Sequence, residues 1–441
     1  EKWATFRGEG ITLGSLVFWA KHDGWTPPQR RSAPLLTDMG NAERFAADHG
    51  ADVRYIHAWK KWLPWNGKRW KVDDTGAAMR LAKTTARGIF AEAAEVSDEF
   101  EQRKIAKWAM TSQSKERLNA MLELAQSEQP IPATYGSLDA DPWLLNCDNC
   151  TVDLRTRPLP PHKRGDSLTK TTGVEYPDDA GVDAVLWRKF LNETFEEDQA
   201  LIGFGQRLFG ASLVGKHLEH VLAILHGGGS NGKTVFLLTV QAAMGEYAMA
   251  APRNFLMVKR NSEHPTALAD LFGRRLVVVS ETQDEARLDE GLVKSITGGD
   301  RIRARGMRED FWEFSPSHLP VIATNHKPVI RGTDYGIWRR LRLIPFNVTI
   351  PPEREDKRLE EKLRPELPAI LRWLVEGCLA WQSRGLDEPS AVSMATEQYR
   401  AESDTIARWI EESCIKDPEA EWKAKRARES YECWCEDAGK E

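Results

Sequence analysis

Residues 221–236 read VLAILHGGGSNGKTVF, and no other stretch restricts the architecture as much. The apolar run 221–225 lacks the alternation of a strand with one wet face, so it reads as a strand buried on both sides. An apolar helical pattern follows over 235–244, with a glycine-rich loop between. Such a unit needs neighbours to cover it, and 221–346 goes on alternating strand, loop and helix. That is the α/β signature.

Gly227, Gly228, Gly229, Ser230, Asn231, Gly232, Lys233 and Thr234 fit the pattern G-x-x-x-x-G-K-[ST] completely. Glycines let the backbone curl until successive N–H groups point into one cavity, and the following helix adds its N-terminal partial charge. Both suit the oxygens of a triphosphate such as ATP. Lys233 is expected to reach the β and γ phosphates and Thr234 to ligate Mg2+. A glycine turn that merely happens to hold a lysine would not need a strand before it and a helix after it.

Three later features are candidate companions. The apolar strand 276–280 ends at Glu281, where an acid can hold the metal's water shell or polarise an attacking water. Ser280 precedes it, so this one acid serves both tasks. The run LPVIATN ends at Asn325, an amide at the tip of a strand lying between the first two in space. There it can orient water against the γ-phosphate, although Asn also ends strands simply as a turn former. Next comes the pair Arg339-Arg340 in DYGIWRRL. These are surface charges, or one is an arginine finger offered to a neighbouring subunit's phosphate.

Between Glu281 and Asn325, residues 299–312 read GDRIRARGMREDFW, two alternating segments around a polar tip, the pattern of a hairpin. Arg301, Arg303 and Arg305 share one face, because strand side chains alternate. With Met307 and Arg308 at the tip they form a candidate nucleic-acid contact, Arg308 above all; the alternative is a charged edge that resists aggregation. Arg303 and Arg305 also suit subunit or nucleotide contacts, and Lys294 a neighbour's phosphate. In KKW at 60–62 and KRW at 68–70, packed aromatics beneath a basic surface outweigh base stacking.

The net charge of −5 over 441 residues restricts any nucleic-acid footprint to such local patches. Six cysteines are scattered, with one C-x-x-C at 147–150 and no second pair, which argues against a zinc ribbon and suits a reducing cytosol. No apolar run approaches the ~18 residues of a membrane span, and no signal-peptide pattern opens the chain. The expected location is therefore cytoplasmic. Two to four domains are expected from the length. The first residue is Glu1, which reads as a fragment of something longer.

Taken in order, the GKT loop, Ser-Glu-Thr at 280–282, KSITGGD at 294–300, Thr-Asn at 324–325 and IWRR at 337–340 resemble superfamily 3 helicases. The nearest likeness is to the primase-helicases of phages, plasmids and large DNA viruses, and it covers about 205–350. Residues 145–162 resemble the domain that precedes the motor in that family. The resemblance implies an AAA+ P-loop ATPase core, an α+β N-terminal domain and a helical collar. Along the chain it implies the tail of a primase-linking module with a linker (1–32) and a helicase-associated domain (33–182). A collar (183–220), the ATPase core (221–350), C-terminal helices (351–415) and the start of a winged-helix domain (416–441) follow.

It further implies a ring, usually hexameric, that hydrolyses ATP with Mg2+ at subunit interfaces to move on single-stranded DNA and unwind forks. Lys233, Glu281, Asn325 and Arg339 would be its catalytic residues, with Arg339 preferred over Arg340 as the finger. A primase-polymerase domain is expected on the same full-length chain, in the host-cell cytoplasm if the source is viral. The alternative is a nucleotide-assembled DNA-binding or loader ring without unwinding activity. A GTPase switch would need an Asn-Lys-x-Asp motif that Asn325-His326-Lys327-Pro328 does not supply.

Overall fold

The structure is a computed structural model that describes residues 35–178, 183–258, 266–280, 286–306, 311–332, 334–415, 417 and 421–437. The readings of 1–32, Glu281, Met307 and Arg308 lie outside the described residues. The chain divides into two units: residues up to Arg54 with Asp73–Pro132, and Tyr55–Val72 with Ala133 onward. The chain crosses between them within strand β1 (Val53–Ile56), between Val72 and Asp73, and at the short strand β3 (Pro132–Ala133).

The first unit packs four helices, α1 (Asp38–His49), α2 (Ala77–Glu95), α3 (Glu99–Ser112) and α4 (Lys115–Ala125). Thr37, Asp98 and Ser114 cap α1, α3 and α4 by accepting a bond from a first-turn N–H, which satisfies an otherwise orphaned donor. The buried Asn41 of α1 donates to Ser112 at 2.9 Å and accepts from Trp108 at 3.0 Å, fixing the register against α3. Arg44 binds Glu92 of α2 through two bonds of 2.6 and 2.7 Å.

In the second unit, β2 (Lys61–Pro64) is followed by a turn at Asn66-Gly67 that closes with Trp65 facing Trp70. Trp70 is buried, so this basic stretch rests on packed aromatics. A hairpin of β4 (Leu144–Asn146) and β5 (Thr151–Asp153) precedes helices α5 (Val185–Thr194) and α6 (Gln199–Ala211). Then come β6 (Leu222–His226), α7 (Lys233–Met244), β7 (Ala248–Ala250), the single turn α8 (Thr266–Ala269) and β8 (Leu276–Ser280). Helix α9 (Glu290–Ile296), the ribbon of β9 (Ile302–Ala304) and β10 (Trp312–Phe314), and β11 (Leu319–Thr324) follow. After α10 (Tyr335–Trp338) and β12 (Leu341–Pro345) the chain ends in helices α11 (Leu359–Leu363), α12 (Leu367–Arg384), α13 (Ser390–Ser403), α14 (Thr405–Ser413) and α15 (Ala424–Asp437).

The central sheet has the order β12-β6-β11-β8-β7, and every neighbouring pair is parallel. As the sequence implies, β11 lies between β6 and β8. Side-chain alternation splits each apolar run between two cores. Ala223, Leu225, Val278 and Val321 pack with α5, α6, α7 and α12, while Leu222, Ile224, Val279 and Ile322 pack with α9, Trp338 and Tyr399. Covering both faces is what a parallel sheet requires. Among the described residues no helix is long and apolar enough to cross a membrane.

Candidate functional site

Parallel strands put all their C-terminal ends on one edge, and the glycine loop leaves β6 there. Phe236, one turn into α7, stacks on Trp187 of α5 with ring centroids 5.5 Å apart and meets Phe209 of α6 edge-on at 5.1 Å. Such pairs contribute about 0.5–1.5 kcal/mol each beyond burial, and they hold the start of α7 in place. Within the loop, Ser230, Gly229 and Gly232 have φ of 44°, 102° and 82°. Gly227 has no space for a side chain, since a Cβ would lie 2.2 Å from the Phe346 carbonyl oxygen. Asn231 donates to that same carbonyl at 3.1 Å, tying the loop to the end of β12.

Lys233 is only 7% exposed. Its ammonium donates to the Gly227 carbonyl at 2.8 Å, to Asn231 Oδ1 at 2.9 Å and to Asn325 Oδ1 at 3.0 Å. All three acceptors are neutral, so the charge is held in place without being neutralised. Burial lowers its pKa from the ordinary lysine value. At the end of β6, His226 is pushed down as well, by burial first and then by Lys327 and Lys233. The pocket is thus positive and partly desolvated, conditions under which an anion is bound strongly. Thr234 is exposed on the first turn of α7. These groups fit a triphosphate: a backbone cradle, a helix N-terminus, a poised ammonium and a free hydroxyl at the mouth.

Asn325 follows β11, whose Thr324 is in register with His226. Ser280, at the end of β8, is in register with Ala323, so both strand ends reach the edge that carries the loop. Arg339 sits at the other edge. Leu341 of β12 pairs with Leu222, the first residue of β6, whereas the loop begins after His226. Four steps of strand, about 13 Å, separate those ends, more than an arginine side chain spans. Arg339 is exposed, and no side chain among the described residues pairs with it. Arg340 is committed inward, donating to Thr297 Oγ1 at 3.1 Å and to the Gly336 carbonyl at 2.5 Å. Lys294 is bound to Asp334 at 2.9 Å within the same unit, and that ammonium holds the Asp334 carboxyl below the usual range.

Strands β9 and β10 pair antiparallel, with Arg303 opposite Glu313 and Ala304 opposite Trp312. Ile302 and Ala304 are buried while Arg303 is exposed, as alternation dictates. Trp312 anchors the ribbon among Tyr135, Phe272 and Trp59, at ring distances of 5.5, 5.0 and 6.3 Å. The guanidinium groups of Arg303 and Arg305 lie over the ring of Phe311, at 4.6 and 4.8 Å from its centroid. The sequence reading missed Phe311; its signal was an aromatic residue placed between a polar tip and an apolar strand in a run of arginines.

Two family models match: one described as "D5 N terminal like" over residues 42–196, and a family of unknown function, DUF5906, over residues 225–340. "Putative helicase L207/L206" of Acanthamoeba polyphaga mimivirus is 25% identical over 297 residues, 62% of this chain and 31% of the relative. "Putative helicase 184R" of Invertebrate iridescent virus 6 is 26% identical, over 44% of this chain and 24% of its own length. "Putative primase C962R" of African swine fever virus (isolate Warthog/Namibia/Wart80/1980) is 26% identical, over 47% and 22%. The chain therefore spans between about a fifth and a third of these relatives. A solved apo A-form structure of the NrS-1 C-terminal region aligns with a TM-score of 0.45 at 11% identity, covering 85% of this chain and 83% of that one. The D5-like match over 42–196, the match over 225–340 that contains the glycine loop, and relatives that carry both helicase and primase names together support a likeness to the primase-helicases of large DNA viruses.

Proposed function

We propose that this chain is the motor part of an ATP-dependent DNA helicase, an AAA+ core of the superfamily 3 type that works as a ring of six copies. The observation that carries the reading is the 3.0 Å bond between Lys233 and Asn325, which joins the phosphate loop to the tip of β11 across 92 residues of sequence. A lysine poised on neutral acceptors can exchange them for phosphate oxygens. The released Asn325 amide is then free to orient water.

In this reading the backbone from Gly227 to Gly232 cradles phosphates, Lys233 neutralises charge on the β and γ positions, and Thr234 ligates Mg2+. Glu281 is assigned the acid that polarises water and assists the metal. Bound Mg-ATP would supply phosphoryl transfer to water; the chain positions the groups and stabilises the charge that develops. Arg339, on the far edge of the sheet from its own loop, is assigned to the nucleotide of the next subunit. Arg303, Arg305, Met307 and Arg308 are assigned to single-stranded DNA. A primase-polymerase domain elsewhere on the full-length protein would complete a primase-helicase.

The test is Mg2+-dependent ATP hydrolysis with and without single-stranded DNA, alongside unwinding of a forked duplex. The parent is expected to hydrolyse ATP faster with DNA and to unwind, and Lys233→Ala to lose both by roughly 100-fold or more. Unwinding by Lys233→Ala at the parent's rate would refute the loop assignment. Nucleotide-dependent DNA binding with no unwinding or translocation by the parent would favour a loader ring instead.

A further inference from the structure

Phe311 lies immediately before β10, and its ring is 45% exposed despite being a large apolar group. Exposure of one phenylalanine is ordinary; what it touches is not. Two guanidinium groups, of Arg303 in β9 and of Arg305 just past its end, converge on this one ring at 4.6 and 4.8 Å. Alternation puts these two arginines on one face of the strand, so their like charges repel. Left alone, such long side chains would splay into water, and ordering them on a ligand would cost entropy. The ring's negative face attracts both cations and so opposes that splaying.

A competitor is available. Glu313 is directly opposite Arg303 in the ladder, where a carboxylate would ordinarily form a cross-strand ion pair. Among the described residues Arg303 instead rests on Phe311, and Glu313 is exposed. The aromatic ring therefore does two things. It keeps a guanidinium from being neutralised by its own strand partner, and it gathers two cations no further apart than their combined distances to one ring. Adjacent phosphates of a single strand are spaced on that scale.

We propose that Phe311 is a positioning residue that pre-organises Arg303 and Arg305 as a paired clamp for adjacent backbone phosphates of single-stranded nucleic acid. The proposal rests on the reading of this ribbon as the DNA contact. Phe311 makes the clamp effective without itself adding charge.

The experiment is fluorescence anisotropy of a labelled oligothymidine against the whole chain over a series of NaCl concentrations, with thermal melting as a check on folding. Phe311→Leu is expected to weaken binding about 5- to 10-fold at every salt concentration. The slope of log affinity against log salt should stay unchanged, because the charges remain. Phe311→Tyr and Phe311→Trp are expected to bind within about 2-fold of the parent. Arg303→Ala with Arg305→Ala should make the slope shallower by about 1.4, about 0.7 per lost phosphate contact. Adding Glu313→Gln to Phe311→Leu should recover part of the loss. Parent-like binding by Phe311→Leu, or equal weakness in the Leu and Tyr variants, would overturn the positioning role alone. If the double arginine variant binds like the parent, or the parent shows no salt-dependent binding, the DNA contact itself fails and the clamp fails with it.

Discussion

A buried ammonium surrounded by three neutral oxygens is an unusual resting place for a charge, and it explains why Lys233 is sensitive to its surroundings. Burial lowers its pKa, so an arriving anion gains by restoring the favourable field. His318 shows the opposite use of burial. Among the described residues neither ring nitrogen has a hydrogen-bond partner, and burial, with His217 nearby, pushes the imidazole down to about 3. The fold accepts only the neutral ring. Stability is therefore fully present above the ordinary pKa near 6.5 and is lost as pH falls from there toward 3. Urea unfolding at pH 7.5 and 5.5 is expected to show a loss that His318→Phe reduces, by up to about 1.4 kcal/mol per pH unit below 6.5. An equal pH response in both proteins would show that the folded state tolerates the charged ring.

At the scale of elements, close approach rather than composition decides which glycines matter. Gly227 abuts the Phe346 carbonyl and the Asn231 amide, whereas a Cβ on Gly228 would meet nothing within 4 Å. Gly227→Ala should therefore cost about 1–3 kcal/mol of stability and disturb the hydrogen bond to Lys233, while Gly228→Ala should stay within about 0.5 kcal/mol. Chemical denaturation of the two variants beside the parent separates them, and equal costs would mean the loop shifts freely. The same logic applies where α6 crosses α12. A Cβ on Gly210 would lie 2.3 Å from the Cys378 amide nitrogen, and one on Gly377 would lie 2.1 Å from the Gln206 carbonyl oxygen. These helices approach backbone to backbone. Gly210→Val should force them apart at a cost of about 3 kcal/mol or more, seen as a fall of several degrees in the melting temperature.

For the whole molecule, the parallel sheet separates the two halves of the proposed catalytic site. The loop and Asn325 lie on the C-terminal edge, and Arg339 lies beyond the N-terminal edge of β12. A single copy does not bring them together, so the proposed role of Arg339 requires a second copy. Arg339→Ala is expected to bind ATP within about 3-fold of the parent and to hydrolyse it roughly 1,000-fold more slowly. Mixed with parent protein, it should depress activity more steeply than its fraction. A strictly proportional decline would argue for independent copies, and an unchanged rate would remove Arg339 from the chemistry.

Much of this was legible in the amino-acid order. The run 221–225 announced a strand covered on both faces, because side-chain alternation is local and needs no partner to be recognised. The ribbon around 299–312 and the strand ending at Asn325 were readable for the same reason. What local periodicity does not encode is where a long side chain finds its partner. Only the tertiary structure separates Arg339, exposed, from Arg340, committed to Thr297 and Gly336. It alone gives Lys294 to Asp334 and sets Arg303 and Arg305 on Phe311. It also assigns 55–72 to a different unit from the residues on either side. The sequence by itself determined the elements and the residue types each presents, since both depend on residue type and short spacing. The packed fold decided which charges are spent inside the molecule and which remain free, because that depends on distances between residues far apart along the chain.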